Sequence, residues 1–565
     1  MEIMKDLILK YALQNAVKFN GKANPGALIG KVLGESPELK NKLDTIKKEI
    51  IGIVEEVNSM KPEEQLKKLQ KIAPELLEEK KEEEKKLKEL PGAEIGKLVT
   101  RIPPEPSKYL HLGHALSFLI NYVYAEKYQG KCILRFEDCN PEKVTQEYID
   151  ADIDDMQNYL GIKPSSIVYV SDYMEKFYEY AQQLISDGKA YMCFCDREKM
   201  QDLRHKGKEC DCRSKTPKIN KEEWKKMIDK NYQEGECTLR LKIDMKATNQ
   251  VLRDPAIFRI NYGKHYKYAN KYHVWPLYDY YNAIEENLCG VNYVLRSNEF
   301  GTMRTELQNH IRNLLKMPNP REIQYGRFNV NDKITQGREI RELIEQKKVN
   351  GWDDPRLVTL KALKRRGIER EAYYELIKEV GLTPTQTNLD FTVIAAINRR
   401  ILDKKSNRYF VLSNTEKIKV ENAPKVKVKL PLHPEDERGN RTFDTDEEFY
   451  VTKEDLQELK VENKVHRLMD CINIECKNGK FVYHSKTHDE YKNSKNKGKI
   501  INYLPVNDKL VKCTIMMDDA TIIEALGEPD VKKIKIDDKI QAERFAFLRL
   551  DSISKGVYNF WFTHK

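Results

Sequence analysis

Nowhere does this 565-residue chain stay apolar for the roughly 18 residues that a membrane-spanning helix needs, so no span is expected. Its first residues, Met1-Glu-Ile-Met-Lys-Asp-Leu7, carry acids early and offer no small-residue cleavage site. No secretion signal is therefore expected, and the expected compartment is the cytoplasm. A disulfide framework is missing too, because eleven cysteines are an odd number for a chain without export. No internal repeat is visible. Charge of neither sign dominates: 99 Lys and Arg stand against 89 Asp and Glu, for a net charge of +10. With 40% hydrophobic and 33% charged residues, disorder and membrane insertion are both excluded, and a soluble globular protein remains. At 66.3 kDa it is too long for one core, and roughly three to five domains are expected.

The small positive surplus has an ordinary use in solubility. Clusters such as Lys361-Ala-Leu-Lys-Arg-Arg366 also suit a partner with a phosphate backbone. His111-Leu-Gly-His114, ten residues after the arginine of Arg101-Ile-Pro-Pro-Glu-Pro106, is more specific. A strand that turns into a helix through two histidines brings N–H groups and imidazoles to one point, where the α-phosphate of ATP would sit. Gly113 would leave room for the purine beside the backbone. The competing reading is a pair of helix-capping histidines. Cys193-x-Cys195 and Cys210-x-Cys212 form the other distinctive pattern. Two short-spaced pairs can give four thiolates to one tetrahedral zinc, which would shape a domain and leave no open position for chemistry. The alternative there is four ordinary reduced thiols.

Residues 1–77 show helical periodicity at Leu7, Leu9, Ala12, Ala16 and Val17, then at Leu39, Leu43, Ile46, Ile50 and Val54, with a break at Gly21–Gly26. The mixed-charge run Glu78–Lys86 reads as a solvated helix or tether, stopped by Pro91-Gly92. From residue 97 strands and helices alternate: strand 97–102, helix 112–128, strand 132–136, helix 146–160. That is βαβ order, with a site at the carboxyl ends of parallel strands. Residues 186–265 interrupt it with the cysteine cluster and a strand-like segment at 237–243. Helices dominate 336–410. Beyond 411, short strand candidates at 426–432, 448–452, 465–469, 512–516 and 560–563 predict an all-β module of one or two barrels.

Taken in order, the His111–His114 signature, Arg135-Phe-Glu-Asp138, the cysteine cluster, Tyr278-Asp-Tyr280, Val294-Leu-Arg296 and Gly351-Trp-Asp-Asp-Pro-Arg356 resemble one known family. It is the glutamyl/glutaminyl group of class I aminoacyl-tRNA synthetases, in its archaeal and eukaryotic form. The likeness runs from about residue 5 to Phe560-Trp-Phe-Thr-His564 and is strongest from Arg101 to Arg366. It implies a multidomain α/β + β fold, with a helical N-terminal extension at 1–96 and a Rossmann-type parallel-sheet catalytic domain split between 97–185 and 266–335. An inserted zinc-bearing domain at 186–265 would hold the acceptor end of tRNA, a helical connector would span 336–410, and β-barrels at 411–565 would bind the anticodon.

The resemblance also implies a two-step ligation. An amino acid carboxylate attacks the α-phosphate of ATP, which comes with Mg²⁺, and tRNA then captures the adenylate. His111 and His114 would meet the α-phosphate, with Pro103 and Gly113 beside the nucleotide. Arg101, Glu105, Glu137, Tyr278, Asn282 and Arg296 would bind the amino acid, Glu137 taking the α-ammonium. Glutaminyl members carry cysteine where Arg296 stands, and a buried arginine would leave a neutral amide poorly matched, at a cost of roughly 2–5 kcal/mol. Glutamate is the expected substrate and tRNA(Glu) the expected acceptor. A glutaminyl enzyme and a tRNA-binding paralogue with impaired catalysis are the alternatives. The family's phosphate-clamping loop, of Lys-Met-Ser-Lys-Ser type, is degenerate here as Lys333-Ile-Thr-Gln-Gly-Arg338. It lacks both serines and the interior lysine, so Lys333 and Arg338 are its only cations. Charging of tRNA(Gln), the oligomeric state, the residues that read the anticodon and a synthetase-complex partner for residues 1–90 are left open by the sequence.

Overall fold

The computed structural model describes residues 2–18, 21–36, 43–76, 87–331, 333–507 and 509–565. Two compact units divide it, one through residue 86 and one from Leu87 to the end. The first is helical: Glu2–Lys18, Pro25–Glu35, Leu43–Ser59 and Pro62–Ile72. Its core takes Leu7, Ala12, Ala16, Ile46, Ile50 and Val54, six of the ten positions picked out by periodicity. Leu9 and Val17 pack at its margin, Leu39 lies outside the described residues, and nothing is described of Leu43's side chain. The expected break falls at Gly21–Asn24, after which Pro25 opens the next helix under a cap from Asn24 Oδ1 to the Gly26 N–H. Pro suits that position because the first helical N–H has no partner to lose. The mixed-charge tether 78–86 falls outside the described residues.

The second unit opens with three parallel strands: β1 (Val99–Ile102), β2 (Lys131–Phe136) and β3 (Ser166–Tyr169), hydrogen-bonded in that order. Helix α1 (Leu112–Lys127) crosses from β1 to β2, and α2 (Gln146–Ile153) follows β2. The helix expected through 160 loses its α register at Asp154, where a π-helical turn runs to Tyr159. Helix α3 (Tyr278–Leu288) then leads to β4 (Tyr293–Ser297). After α4 (Gly301–Leu314), β5 (Arg321–Tyr325) pairs with β4 in parallel. Asn292 ties the start of β4 to β1: its N–H donates to Val99 O at 3.2 Å, and its Oδ1 accepts from the Val99 N–H at 2.8 Å. β1 thus lies between β2 and β4, and the strand order reverses there. Such a reversal opens a crevice beyond the carboxyl ends of the strands. Buried Ile102, Leu116, Leu119, Leu134, Phe136 and Leu295 pack α1 onto these strands.

Between the two halves lies an antiparallel four-stranded sheet of Ala190–Cys193, Thr238–Leu241, Ala256–Ile260 and Val274–Pro276. Its last strand lies beyond the expected boundary at 265. Three residues that pair by backbone bonds leave little periodic signal in sequence. The segment 336–410 is mainly helical, with α5 (Gly337–Glu345), α6 (Leu360–Arg366), Arg370–Val380 and Phe391–Lys405. It also contributes a strand, Thr387–Leu389, parallel to β6 (Phe328–Val330).

Beyond residue 406 the chain forms two seven-stranded sheets and a two-stranded one, Val426–Pro431 with Asn440–Thr445. In the first, Asn407–Tyr409 and Val411–Ser413 are opposite edges although only Phe410 separates them. Neighbours in sequence can be opposite edges only if the sheet curls until it nearly closes. The second sheet repeats this with Lys497–Ile501 and Leu504–Pro505 as edges. It is nested within the first, whose remaining strands follow from Val511 to His564. Each has its own core, around Phe449, Ile474 and Tyr503 in the nested sheet and Ile515, Leu548 and Phe560 in the outer one. Among the described residues, no helix is long and apolar enough to cross a membrane.

Candidate active site

At the carboxyl end of the parallel strands the structure buries a network of charge. Arg101 on β1 and Arg135 on β2 are 2% and 0% exposed, and Glu286 on α3 is 1% exposed. Arg101 Nε donates to Glu286 Oε1 at 2.9 Å, and Arg135 Nη2 donates to the same oxygen at 3.4 Å and to Glu137 Oε1 at 3.2 Å. Asn282 Nδ2 adds a bond to Glu137 Oε1 at 3.0 Å. Burial raises the Glu137 carboxyl above its usual range despite Arg135 and Arg101. Burial would raise Glu286 as well, but Arg101 and Arg135 outweigh it and hold that carboxyl below the usual range. Tyr278, shifted upward first by burial, also senses Glu137, Arg296, Arg101 and Arg135. These sequence-selected residues therefore share one electrostatic neighbourhood. Several polar atoms in it have no partner among the described residues: Arg135 Nε and Nη1, Asn282 Oδ1 and Glu286 Oε2. Buried orphan donors and acceptors side by side are what a small zwitterion would satisfy.

Arg296 is placed differently from the expectation that it faces a substrate side chain. Its Nε and Nη2 grip Glu322 of β5 at 2.9 and 2.7 Å, Nη1 donates to Gln308 at 3.0 Å, and Nη2 donates to Thr305 at 3.0 Å. The chain supplies this guanidinium with a carboxylate of its own. Asp138, the second acid of Phe-Glu-Asp, is structural: it accepts from Ser171 N–H at 2.8 Å, Ser171 Oγ at 2.6 Å and Tyr266 OH at 2.8 Å.

The histidine pair lies where β1 turns into α1. His111 is the N-cap, its Nδ1 accepting from the Gly113 N–H at 3.1 Å, and His114 Nδ1 accepts from the His111 N–H at 3.3 Å. Both rings thus cap the helix, and their centroids are 3.7 Å apart. Capping and phosphate binding use different atoms. A ring whose Nδ1 accepts a backbone N–H carries its proton on Nε2, which leaves two Nε2–H donors side by side. Burial first, then the charges of Lys108 and Arg327, lowers His111 to about 3. His114 is lowered first by burial, then by His111, Lys108 and Arg327. Both are therefore neutral donors at pH 7. At Gly113 a Cβ would lie 3.0 Å from Phe328 O and 3.1 Å from the His111 ring, so the glycine is already required by its own neighbours.

The Gly351–Arg356 motif braces this turn from behind. Buried Asp354 accepts from the Asn350 N–H and from Arg356 Nε and Nη2 at 2.7–2.8 Å. Just beyond, Val358 O accepts from the Leu112 N–H at 3.0 Å, and Leu110 O accepts from the Leu360 N–H at 2.8 Å. Pro104 O accepts from the Glu137 N–H at 2.8 Å, which ties the segment after β1 to the carboxylate. In that segment Pro103 is half-buried and Glu105 is exposed. Lys333 is half-buried. Arg338 has an 87% exposed side chain and pairs with Glu342 at 2.9 Å on its own helix.

Away from the crevice, the sulfurs of Cys193, Cys195, Cys210 and Cys212 lie within 4.8 Å of one another. Cys193 and Cys210 are 3.9 Å apart, and the corners of a zinc–thiolate tetrahedron are about 3.8 Å apart. Arg240 Nη1 donates to both at 3.7 and 3.8 Å, and the Phe194 N–H donates to Cys212 Sγ at 3.4 Å. Cationic and backbone donors aimed at sulfur are the support that thiolate ligands need.

Comparison with known proteins bears on this arrangement. Residues 97–404 match the description "tRNA synthetases class I (E and Q), catalytic domain", and 406–491 match its anti-codon binding domain. The chain belongs to the class I E and Q tRNA synthetase family. Chains named "Glutamate--tRNA ligase" from Pyrococcus furiosus, Pyrococcus abyssi and Methanocaldococcus jannaschii are 40%, 41% and 37% identical to it, with 100% of each chain covered. The class I synthetase reading also explains what the sequence did not single out. Arg135 was visible in its motif without a role, and Glu286 went unnoticed. Glu286 lies eight residues after Tyr278 and four after Asn282, so helical spacing on α3 puts the three on one face. Glu322 has no such signal, because its partner is on another strand.

Proposed function

We propose that this class I synthetase ligates L-glutamate to tRNA through a glutamyl-adenylate. The observation that carries the reading is the charge balance of the buried cluster. Four guanidiniums (Arg101, Arg135, Arg296, Arg312) face three carboxylates (Glu137, Glu286, Glu322) among the described residues. Asp279 is cancelled by Arg304 at 2.7 Å, and burial pushes Glu285 up to about 8, so it is neutral at pH 7. With those three carboxylates ionised, and Asp138 held apart by Ser171 and Tyr266, one positive charge is left over. Glutamate carries a net negative charge and neutralises it; glutamine carries none and leaves a buried charge uncompensated, which costs several kcal/mol.

In this reading Glu137 and Asn282 receive the α-ammonium, and Arg101 and Tyr278 flank the carboxylates. Arg296, already paired with Glu322, fixes the wall of the pocket beside Tyr278. Glu105 lies at the mouth. The glutamate carboxylate oxygen attacks the α-phosphorus of ATP, which arrives with Mg²⁺, as the bond to the pyrophosphate oxygen breaks. His111 and His114 donate from Nε2 to the α-phosphate, and Pro103 and Gly113 let the nucleotide approach the backbone. Lys333 and Arg338 accompany the outer phosphates. A tRNA terminal hydroxyl then displaces AMP. The parallel strands are read as Rossmann-type, the four-cysteine domain as the holder of the acceptor end, and the nested β-sheets as the anticodon reader. The four thiols fit zinc, which would cross-link their domain when bound. One zinc per chain in protein purified without chelator is the expected result of elemental analysis. The function itself is tested by charging tRNA with labelled glutamate and glutamine in parallel. Preference for glutamate is expected, and equal or preferred use of glutamine overturns the reading.

A further inference from the structure

The loop Lys333–Arg338 has no interior lysine, and its Arg338 is committed to Glu342 at 2.9 Å on the exposed face of α5. At the end of that loop the structure shows what takes the missing side chain's place. A Cβ built on Gly337 would lie 2.8 Å from Lys108 Cδ, 3.0 Å from its Cβ and 3.4 Å from its Cγ. The aliphatic stem of Lys108 thus runs through the space that a side chain at 337 would fill. Arg341 Nη1 donates to Ser107 O at 3.2 Å, which fastens α5 to the segment carrying Lys108. Lys108 is three residues before His111, and its charge acts on both imidazoles. It is half-buried, and among the described residues no carboxylate lies within ion-pairing distance of it. Its cationic neighbour Arg327 is already taken by Glu299 at 2.9 Å. A half-buried ammonium beside two neutral imidazole donors, which senses Glu105 and Glu299 without a close ion pair to either, is suited to an anion that arrives from outside.

We propose that Lys108 is a phosphate-binding residue of the adenylation step, supplying from the segment before the histidine turn the cation that the loop lacks. The proposal rests on the function proposed above. As the glutamate oxygen bonds to the α-phosphorus and the bond to pyrophosphate breaks, negative charge grows on the departing β-phosphate. The Lys108 ammonium neutralises part of it and transfers no proton. Gly337 is then required, because any side chain there would displace the lysine stem.

The test is glutamate-dependent ATP–pyrophosphate exchange with tRNA present, in wild type and in Lys108→Met, which keeps the stem against Gly337 and removes the charge. The exchange rate should fall about 10²-fold and the KM for ATP should rise, while the KM for glutamate, the Kd for tRNA and the melting temperature stay close to wild type. Lys108→Arg should recover part of the rate. The double variant Lys108→Gly/Gly337→Lys, which returns the lysine to the loop, should outperform Lys108→Gly. Wild-type exchange by Lys108→Met overturns the proposal. Failure of the wild type to charge tRNA with glutamate sinks the reading of function instead, and Mg²⁺–ATP binding by calorimetry still decides on Lys108. About tenfold weaker binding by Lys108→Met supports its role, and equal binding refutes it.

Discussion

The two ends of the crevice meet where the chain leaves β1, yet they hold charge in opposite ways. At the amino-acid end Arg101, Arg135, Glu137 and Glu286 are all nearly inaccessible, and each is bound by another of the set. Around the histidine turn, the proposed phosphate end, two neutral imidazoles and one ammonium with no close ion pair are half-buried. The difference follows from solvation. Where water is excluded, nearly every charge must be paired within the protein, and only a small excess can be left for a ligand. A half-exposed turn stays partly hydrated, so an unpaired cation costs little there.

The largest effect comes from breaking the compensation. Glu286→Gln removes the carboxylate shared by Arg101 and Arg135. It should destabilise the second unit by about 3–5 kcal/mol, read from urea unfolding. A loss below about 1 kcal/mol would show that the two arginines do not depend on it.

His114→Ala probes the other end, where chemistry should suffer more than stability. Adenylate formation should drop about 10²–10³-fold, with tRNA affinity unchanged and only a helix-cap loss of about 0.5–2 kcal/mol. The acid limb of the wild-type rate should not lie near 6.5 on account of these rings. His111, lowered to about 3, stays a neutral donor through that range. A rate that titrates near 6.5 and loses this limb in the variant would contradict the buried neutral pair.

Arg296→Cys tests how far the amino-acid end depends on charge balance. The kcat/KM for glutamate should fall about 10²-fold, partly because Glu322 loses its partner. Adding Glu322→Gln should restore stability without restoring glutamate preference. If the single variant keeps the glutamate-to-glutamine ratio, Arg296 only ties β4 to β5.

A pH-dependent effect belongs to Glu285, buried at the edge of the cluster and raised to about 8, chiefly by burial. An unfolded glutamate ionises near 4.5. The folded chain therefore holds the extra proton between about 4.5 and 8, and stability falls as pH rises through that window. Glu285→Gln should flatten this part of the stability–pH curve. An unchanged slope would mean that Glu285 is ionised in the fold.

Much of this was legible beforehand, for identifiable reasons. β1, α1 and β2 fall within two residues of their expected bounds, because apolar runs and the glycine-bearing turn are local signals. The cysteine spacing placed four sulfurs together, since each pair needs only a short turn. The π-helical turn at Asp154 and the strand Thr387–Leu389 were not legible. Both depend on what packs against them rather than on their own residues.

The sequence by itself determined the family, with its catalytic region before its anticodon-binding region, because motifs and hydrophobic periodicity are properties of neighbouring residues. Only the tertiary structure decided which charges meet. Glu286 reaches Arg101 across 185 residues, Glu322 takes the arginine expected to face the substrate, and the Lys108 stem fills the space at Gly337. These pairings join residues far apart in the chain, and their energies depend on burial and distance, neither of which exists until the elements pack.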